Sequence, residues 1–225
     1  MLEIIVTSVE DAKAAESAGA DRLELCVALS EDGLTPSIAL IEAVVKAVTI
    51  PVHVIVRPHN RGFHYSASDI AIMRSDIAYI KEAGAAGIVV GALTEDGMID
   101  EEALKVLLKE AEGLQVTFHR AFDVIHDQIT GLHILLKYPQ ITRVLTSGGQ
   151  EKAVNALPQL KKLIELTKGT SLTILVGSGL TAENVQLVIQ ETDAQEVHFG
   201  SGVRRAQCFM EPIDGEIIRQ INKMI

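Results

Sequence analysis

Short β-rich runs alternate with helical segments along the whole chain, and this alternation constrains the fold more than any other feature. Each run leads into a turn of small or polar residues and then into a segment with apolar side chains at helical spacing. Strands that alternate with helices pair in parallel through crossover connections, so the order predicts an α/β fold. The runs are Leu2–Val6, Arg22–Cys26, Val52–Arg57, Gly87–Val90, Gln115–His119, Arg143–Thr146, Thr173–Val176 and Glu196–Phe199. Eight such units predict a closed (β/α)8 TIM barrel.

No linker or low-complexity tract interrupts the 225 residues. A barrel of this kind takes about 250 residues, so we expect one domain over the whole chain. An open doubly wound sheet is the alternative, but the G-x-G-x-x-G turn that would follow its first strand is absent. Residues that cap free N–H groups predict helix starts at Thr35-Pro36, Ser68-Asp69 and Asp100.

Charge and composition exclude several classes of partner. The net charge is −10 and no basic run is present, so nucleic acid is not an expected partner. No apolar stretch approaches the ~20 residues of a membrane-spanning helix, so no membrane span is expected. The two cysteines, Cys26 and Cys208, cannot form a disulfide framework and fit a reducing compartment. We therefore expect a cytoplasmic protein.

Polar and charged side chains interrupt several of the apolar runs. Alternate residues of a barrel strand point inward, so these side chains predict an unusually polar barrel interior. Arg57 and His119 stand at the carboxyl ends of their runs, where barrel enzymes carry their sites. A Glu24–Arg57 ion pair in a satisfied core is the structural alternative. The interrupting residues are Glu3 and His53, for which we expect structural roles, and Glu24, Arg57, His119 and His198.

The fifth run ends in an imidazole, and a guanidinium and a carboxylate follow in the loop after it. The ordinary imidazole pKa, about 6.5, suits proton transfer near neutral pH. We predict that His119 and Glu24 form an acid–base pair and that Asp123 orients His119. Arg57 or Arg120 would hold an anionic group of the ligand.

Three glycine-rich turns follow the last three runs. Turns without β-carbons expose backbone N–H groups, and the loops after the seventh and eighth strands of such barrels often hold a phosphate. The sequence therefore predicts an anion site, with tight turn formation as the alternative reason for the glycines. The turns are Ser147-Gly148-Gly149, Gly177-Ser178-Gly179 and Gly200-Ser201-Gly202.

Metal-binding signals are weaker than these. The C-x-x-C and H-E-x-x-H spacings that bind zinc are absent. Cys26, alone or with His53, is the candidate soft ligand for Cu(I). A small buried hydrophobe is the alternative interpretation of this thiol.

Several blocks resemble the CutC family of copper homeostasis proteins. They are Arg22-Leu23-Glu24-Leu25-Cys26, Gly33-Leu34-Thr35-Pro36-Ser37, Val52 to Pro58, Gly91 to Asp100, Thr117 to Asp123 and Arg143 to Gly149. The resemblance implies a (β/α)8 barrel and cytoplasmic copper handling, with thiols as Cu(I) ligands in some members. Cys26 matches the family's thiol position, whereas Ile5 stands where those members carry the partner cysteine on the first strand.

The sequence leaves two functions open. The resemblance implies a copper homeostasis protein that binds Cu(I) at Cys26. The alternative is an enzyme that acts on a small phosphorylated or carboxylated substrate by acid–base chemistry of His119 and Glu24. The expected partner is thus copper or a small ligand, and a homodimer through the outer helices is compatible with this kind of barrel.

Overall fold

Eight parallel strands pair in chain order, and the eighth closes on the first. The computed structural model describes residues 1–225. The strands are β1 (Leu2–Val6), β2 (Arg22–Leu25), β3 (Val52–Ile55), β4 (Gly87–Val90), β5 (Gln115–Phe118), β6 (Ile141–Thr146), β7 (Thr173–Val176) and β8 (Glu196–Phe199). The predicted (β/α)8 TIM barrel is thereby confirmed.

One helix follows each strand and packs on the outside of the barrel. The helices are α1 (Val9–Ala18), α2 (Ile38–Ala47), α3 (Ala67–Glu82), α4 (Glu101–Glu110), α5 (Gln128–Leu135), α6 (Leu157–Thr167), α7 (Val185–Thr192) and α8 (Gly215–Asn222). No helix combines the length and apolar character that crossing a bilayer requires.

One of the three predicted helix starts has the predicted capping residue. Asp100 caps α4 as predicted, with its side chain accepting from the Ala103 N–H. The cap of α2 is Ser37 rather than Thr35, because the Thr35 hydroxyl accepts from the Arg57 N–H instead. The cap of α3 is Ser66, which exchanges hydrogen bonds with Asp69 in a capping box.

The apolar core lies between the barrel and its helices, and the barrel interior is polar. Residues such as Leu2, Ile4 and Leu23 face outward into one continuous apolar cluster. The strand residues between them point inward, and the register places Glu3 beside both Arg22 and His198. This inner surface carries the predicted polar side chains.

Three predicted strands end earlier than the sequence indicates. Cys26 and His119 lie just beyond the last residues of β2 and β5, and Arg57 lies two residues beyond β3. The backbone N–H groups of Cys26 and His119 still donate to the neighbouring strands, at 3.2 and 3.0 Å. These side chains are therefore fixed at the carboxyl-end mouth of the barrel.

Candidate functional site

A cavity of about 420 Å³ opens at the carboxyl end of the barrel. Glu24, Arg57 and His119, which are far apart in the sequence, all line it. The apolar part of its wall includes Ile5, Leu29, Phe63, Val124 and Phe209. The cavity thus combines charged groups with apolar surface, as small-molecule sites do.

Three polar atoms on this wall have no hydrogen-bond partner. They are Glu24 Oε2, Arg57 Nε and His119 Nε2, on residues only 4%, 3% and 4% exposed. Leaving a buried donor or acceptor unpaired costs about 1–3 kcal/mol, so unpaired groups are uncommon in native proteins. The residues that carry these atoms share one cavity, which makes it the candidate site.

Glu24 lies at the inner end of the cavity, next to buried ionic groups. Burial raises its pKa to about 7, and the charge of Glu3 adds to the increase while His198 opposes it. Glu24 Oε2 lies 3.8 Å from His198 Nδ1. Glu24 can therefore hold or release a proton near neutral pH.

His119 is held as a neutral imidazole. Its Nδ1 accepts a hydrogen bond from the Ala121 N–H at 3.1 Å. Burial, helped by the charge of Arg57, lowers its pKa to about 3. A Cβ at Gly91 would lie 2.7 Å from the His119 ring, so only glycine leaves room for it. In this geometry His119 is a neutral hydrogen-bond donor through Nε2, and its part in the predicted acid–base pair stays a prediction.

Arg57 makes no ion pair with Glu24, so the predicted structural alternative is wrong. Its Nη1 instead donates to the carbonyl oxygens of Glu31 at 2.6 Å and Gly33 at 3.0 Å. The guanidinium carbon lies 5.2 Å from the centre of the Phe63 ring. Neutral partners leave the positive charge of Arg57 available to a ligand.

Asp123 does not orient His119, contrary to the prediction. Its oxygens accept from the Ser147 N–H at 3.0 and 3.1 Å and from the Gly149 N–H at 3.2 Å. Arg120 Nε also donates to Asp123, at 2.8 Å. Asp123 is thus an internal anion that fills the first glycine-rich turn, and Ser147, Gly148 and Gly149 do not line the cavity.

The other two glycine-rich turns remain open. Ser178, Gly179, Gly200, Ser201 and Gly202 line the cavity, whereas Gly177 donates to the Thr146 carbonyl oxygen and does not line it. No acceptor in the protein takes the backbone N–H groups of Ser178, Gly179 and Gly200. These N–H groups can donate to an anionic ligand.

An ionic network fills the barrel interior below the cavity. Arg22 bridges Glu3 and Glu196, and Arg143 Nε joins Glu196 at 2.8 Å. His198 Nδ1 lies 2.7 Å from Glu3. Burial opposes ionisation of Glu3, but His198 and Arg22 outweigh it and hold the Glu3 pKa low. Sequence reasoning missed Arg22, Arg143 and Glu196, since strand-end charges also occur on solvated surfaces.

Metal ligands are poorly arranged for copper. Cys26 lies on the cavity wall, 1% exposed, and packs against Ile55 and Val89. Burial and the charge of Glu24 raise the pKa of its thiol well above the ordinary value, whereas Cu(I) binds the thiolate. Ile5 shares the cavity and offers no sulfur.

One other set of side chains has metal-binding spacing. Glu3, Glu24 and His198 offer ligand atoms within 4.8 Å of one another. Arg22 already pairs with Glu3, and a guanidinium at that position repels a cation. We therefore interpret these residues as an ionic cluster.

The fold and this cavity define a (β/α)8 barrel with a polar cavity at its carboxyl-end mouth. The CutC family model matches residues 1–203. The chain therefore belongs to the CutC family.

Individual relatives agree with this assignment. The human copper homeostasis protein cutC homolog is 46% identical over 198 residues, which cover 88% of this chain and 72% of the relative. A family protein CutC from Pasteurella multocida is 40% identical over 207 residues, 92% of this chain and 84% of the relative.

Solved structures show the same architecture. The CutC structure from Streptococcus agalactiae has a TM-score of 0.84 and 33% identity, with 89% of this chain and 97% of that chain covered. A phosphoribosylanthranilate isomerase from Pyrococcus furiosus has a TM-score of 0.63 and 19% identity, covering 100% of this chain and 97% of that one. The second similarity shows the fold alone.

Proposed function

We propose that the cavity binds a small molecule with a phosphate or carboxylate group and that Glu24 transfers a proton on it. The observation that carries the proposal is the convergence of unpaired Glu24 Oε2, Arg57 Nε and His119 Nε2 on one cavity. Buried polar atoms without partners persist where function requires them.

Free hydrogen-bond donors favour an anionic ligand, on a wall whose charged residues are Arg57, Arg120, Glu24, Asp32 and Asp123. Arg57 is buried, and its side chain donates hydrogen bonds to backbone carbonyl oxygens rather than to a carboxylate. The backbone N–H groups of Ser178, Gly179 and Gly200 add further donors on the same cavity. A charged donor and several fixed dipoles compensate an anion that has lost its water.

Ligand-dependent stabilisation tests this function. Melting temperatures should be measured with inorganic phosphate, small sugar phosphates and short carboxylic acids. A ligand at about 100 times its Kd adds about 2.7 kcal/mol to the free energy of unfolding. We expect the shift to be lost in Arg57→Gln and retained in the control Arg61→Gln, because the Arg61 side chain is 72% exposed. No shift with any of these compounds would contradict the proposal.

Copper binding is the second candidate function. Cys26 lies on the cavity wall, and the human and mouse relatives are named copper homeostasis protein cutC homologs. We propose Cys26 as the Cu(I) ligand in this case, in a cytoplasmic setting that keeps both free thiols reduced.

A titration under reducing conditions tests the copper candidate. Cu(I) should be titrated in competition with a chromogenic chelator. Cys26→Ser should abolish stoichiometric binding, while the exposed Cys208→Ser should not change it. Binding that survives Cys26→Ser contradicts this role of the thiol. Homodimer formation stays a prediction.

A further inference from the structure

We infer that the site enolises a small phosphorylated hydroxy-carbonyl compound, with Glu24 as the base and neutral His119 as the donor to the carbonyl oxygen. This inference rests on the proposed anion-binding function and names its reaction. The reaction needs a base, a fixed donor for the developing negative charge and a site for the phosphate. The cavity presents a candidate for each.

The hydrogen bonding of His119 determines which ring nitrogen carries the proton. Nδ1 accepts from the Ala121 N–H and therefore has no proton of its own. The proton of the neutral ring is on Nε2, which has no partner in the protein. His119 thus presents a neutral N–H donor that can polarise a carbonyl group without protonating it.

Arg57 supplies a second donor close to the first. The Phe63 ring centre lies 5.0 Å from that of His119 and 5.2 Å from the Arg57 guanidinium carbon. Both side chains therefore rest on the same aromatic ring, with Arg57 Nε and His119 Nε2 unpaired. Donors fixed before the reaction stabilise an enolate oxygen without the cost of reorganisation.

Glu24 is suited to move the proton. Its Oε2 is buried, unpaired and on the same cavity as His119. A carboxylate held on the cavity wall can take a proton from a bound ligand and return it. His119, with a pKa of about 3, stays neutral throughout.

The glycine-rich turns distinguish a phosphate from a carboxylate. In the turn after β6, the two oxygens of Asp123 satisfy the N–H groups of Ser147 and Gly149. The turns after β7 and β8 are in contact, since a Cβ at Gly202 would lie 2.0 Å from the Leu180 carbonyl oxygen. The two oxygens of one carboxylate satisfy the N–H groups of one turn. Two adjoining open turns offer more N–H groups, and these match the three terminal oxygens of a phosphate.

The proposed step is balanced within the substrate. The Glu24 carboxylate takes the proton from the carbon beside the carbonyl group. The electron pair of that C–H bond forms a C=C bond, and the carbonyl π pair moves to the oxygen held by His119. The hydroxyl group of this enediolate passes its proton to the adjacent enolate oxygen and becomes the new carbonyl group, while Glu24 returns its proton to the former carbonyl carbon, which gives the isomeric hydroxy-carbonyl compound. No oxidant or reductant is needed.

The first experiment measures binding of 2-phosphoglycolate, which resembles a phosphorylated enediolate. We expect it to bind at least tenfold more tightly than inorganic phosphate. Affinity equal to that of phosphate overturns the inferred reaction.

The second experiment follows C–H to C–D exchange in D2O by NMR. The substrates are glycolaldehyde phosphate, dihydroxyacetone phosphate and ribulose 5-phosphate. We expect protein-dependent exchange that Glu24→Gln abolishes and that His119→Phe slows about 100-fold, the typical loss for one oxyanion donor. His126→Gln, on an exposed loop residue, is the control.

The outcomes separate the two proposals. Phosphate binding without Glu24-dependent exchange overturns enolisation and leaves the proposed anion site intact. Exchange that persists in Glu24→Gln comes from a contaminating enzyme and also overturns it. If neither phosphate nor 2-phosphoglycolate binds, the proposed function itself is contradicted.

Discussion

The two ends of the barrel interior differ in whether their buried charged side chains form ion pairs. At the amino end, Arg22 and Arg143 pair with Glu3 and Glu196, so almost every charge has an opposite partner. At the carboxyl end, Glu24 and Arg57 share one cavity but do not pair. Unpaired buried groups cost stability, so those on the residues of this cavity favour a binding role for it.

His53 marks the boundary between these two regions. The register places it beside Glu24, and both of its ring nitrogens lack partners. Burial lowers its pKa to about 4, so the ring is neutral and adds no charge to either region. Its ring lies over Gly87, where a Cβ would be 2.7 Å away. The lower region is therefore rich in ion pairs, whereas Arg57 at the mouth has none, and Glu24, 3.8 Å from His198, connects the two.

The largest expected effect comes from breaking the lower region. Arg22→Met leaves Glu3 and Glu196 without their shared partner, and removing one member of a buried ion pair costs about 3–5 kcal/mol. Urea denaturation should show this loss. The control Arg74→Met removes an exposed pair with Glu110, which contributes about 0–1 kcal/mol. Equal losses of unfolding free energy in both variants would mean that the buried and the exposed ion pairs stabilise the protein equally.

Glu24→Gln should raise the free energy of unfolding, whereas Arg22→Met lowers it. The Glu24 pKa is raised from 4.5 to about 7 in the folded protein. Stability from this group is therefore complete below pH 4.5 and is lost as the pH rises through about 7. The amide stays neutral, so the variant should gain roughly 2–3 kcal/mol over the wild type between pH 5 and pH 8.5.

Unfolding free energies at the two pH values check this expectation, with the exposed Glu95→Gln as the matched control. A variant whose stability relative to the wild type does not change with pH would show that Glu24 is not a strained acid.

The smallest expected effect comes from emptying the turn after β6, whose N–H groups Asp123 satisfies, so that it resembles the open turns after β7 and β8. Asp123→Ala removes the acceptor of the Ser147 and Gly149 N–H groups and should cost about 1–2 kcal/mol. Added phosphate should restore part of the melting temperature, because it can replace the lost carboxylate. The control Asp96→Ala, in an exposed loop, should show neither change. Absence of rescue would mean that the emptied turn has no affinity for anions.

Much of the site was predictable from residue type and position. Charged residues in otherwise apolar runs indicated a polar interior, and their places at strand ends indicated the mouth of the barrel. The partners were not predictable in the same way. The sequence leaves a Glu24–Arg57 ion pair open as the structural alternative and predicts that Asp123 orients His119, but Arg57 donates to loop carbonyl groups and Asp123 fills the turn after β6. Which neighbour a side chain meets depends on register and loop path.

The amino-acid sequence by itself determined the number of units, the parallel barrel and the inward direction of its polar residues, because alternation and periodicity are local properties. The tertiary structure decided which buried charges are neutralised and which are left open. That choice depends on distances between strands far apart in the chain, such as those that bring Glu24 of β2 and His119 after β5 to one cavity. Electrostatic and hydrogen-bond energies change steeply over such distances, and no local pattern encodes them.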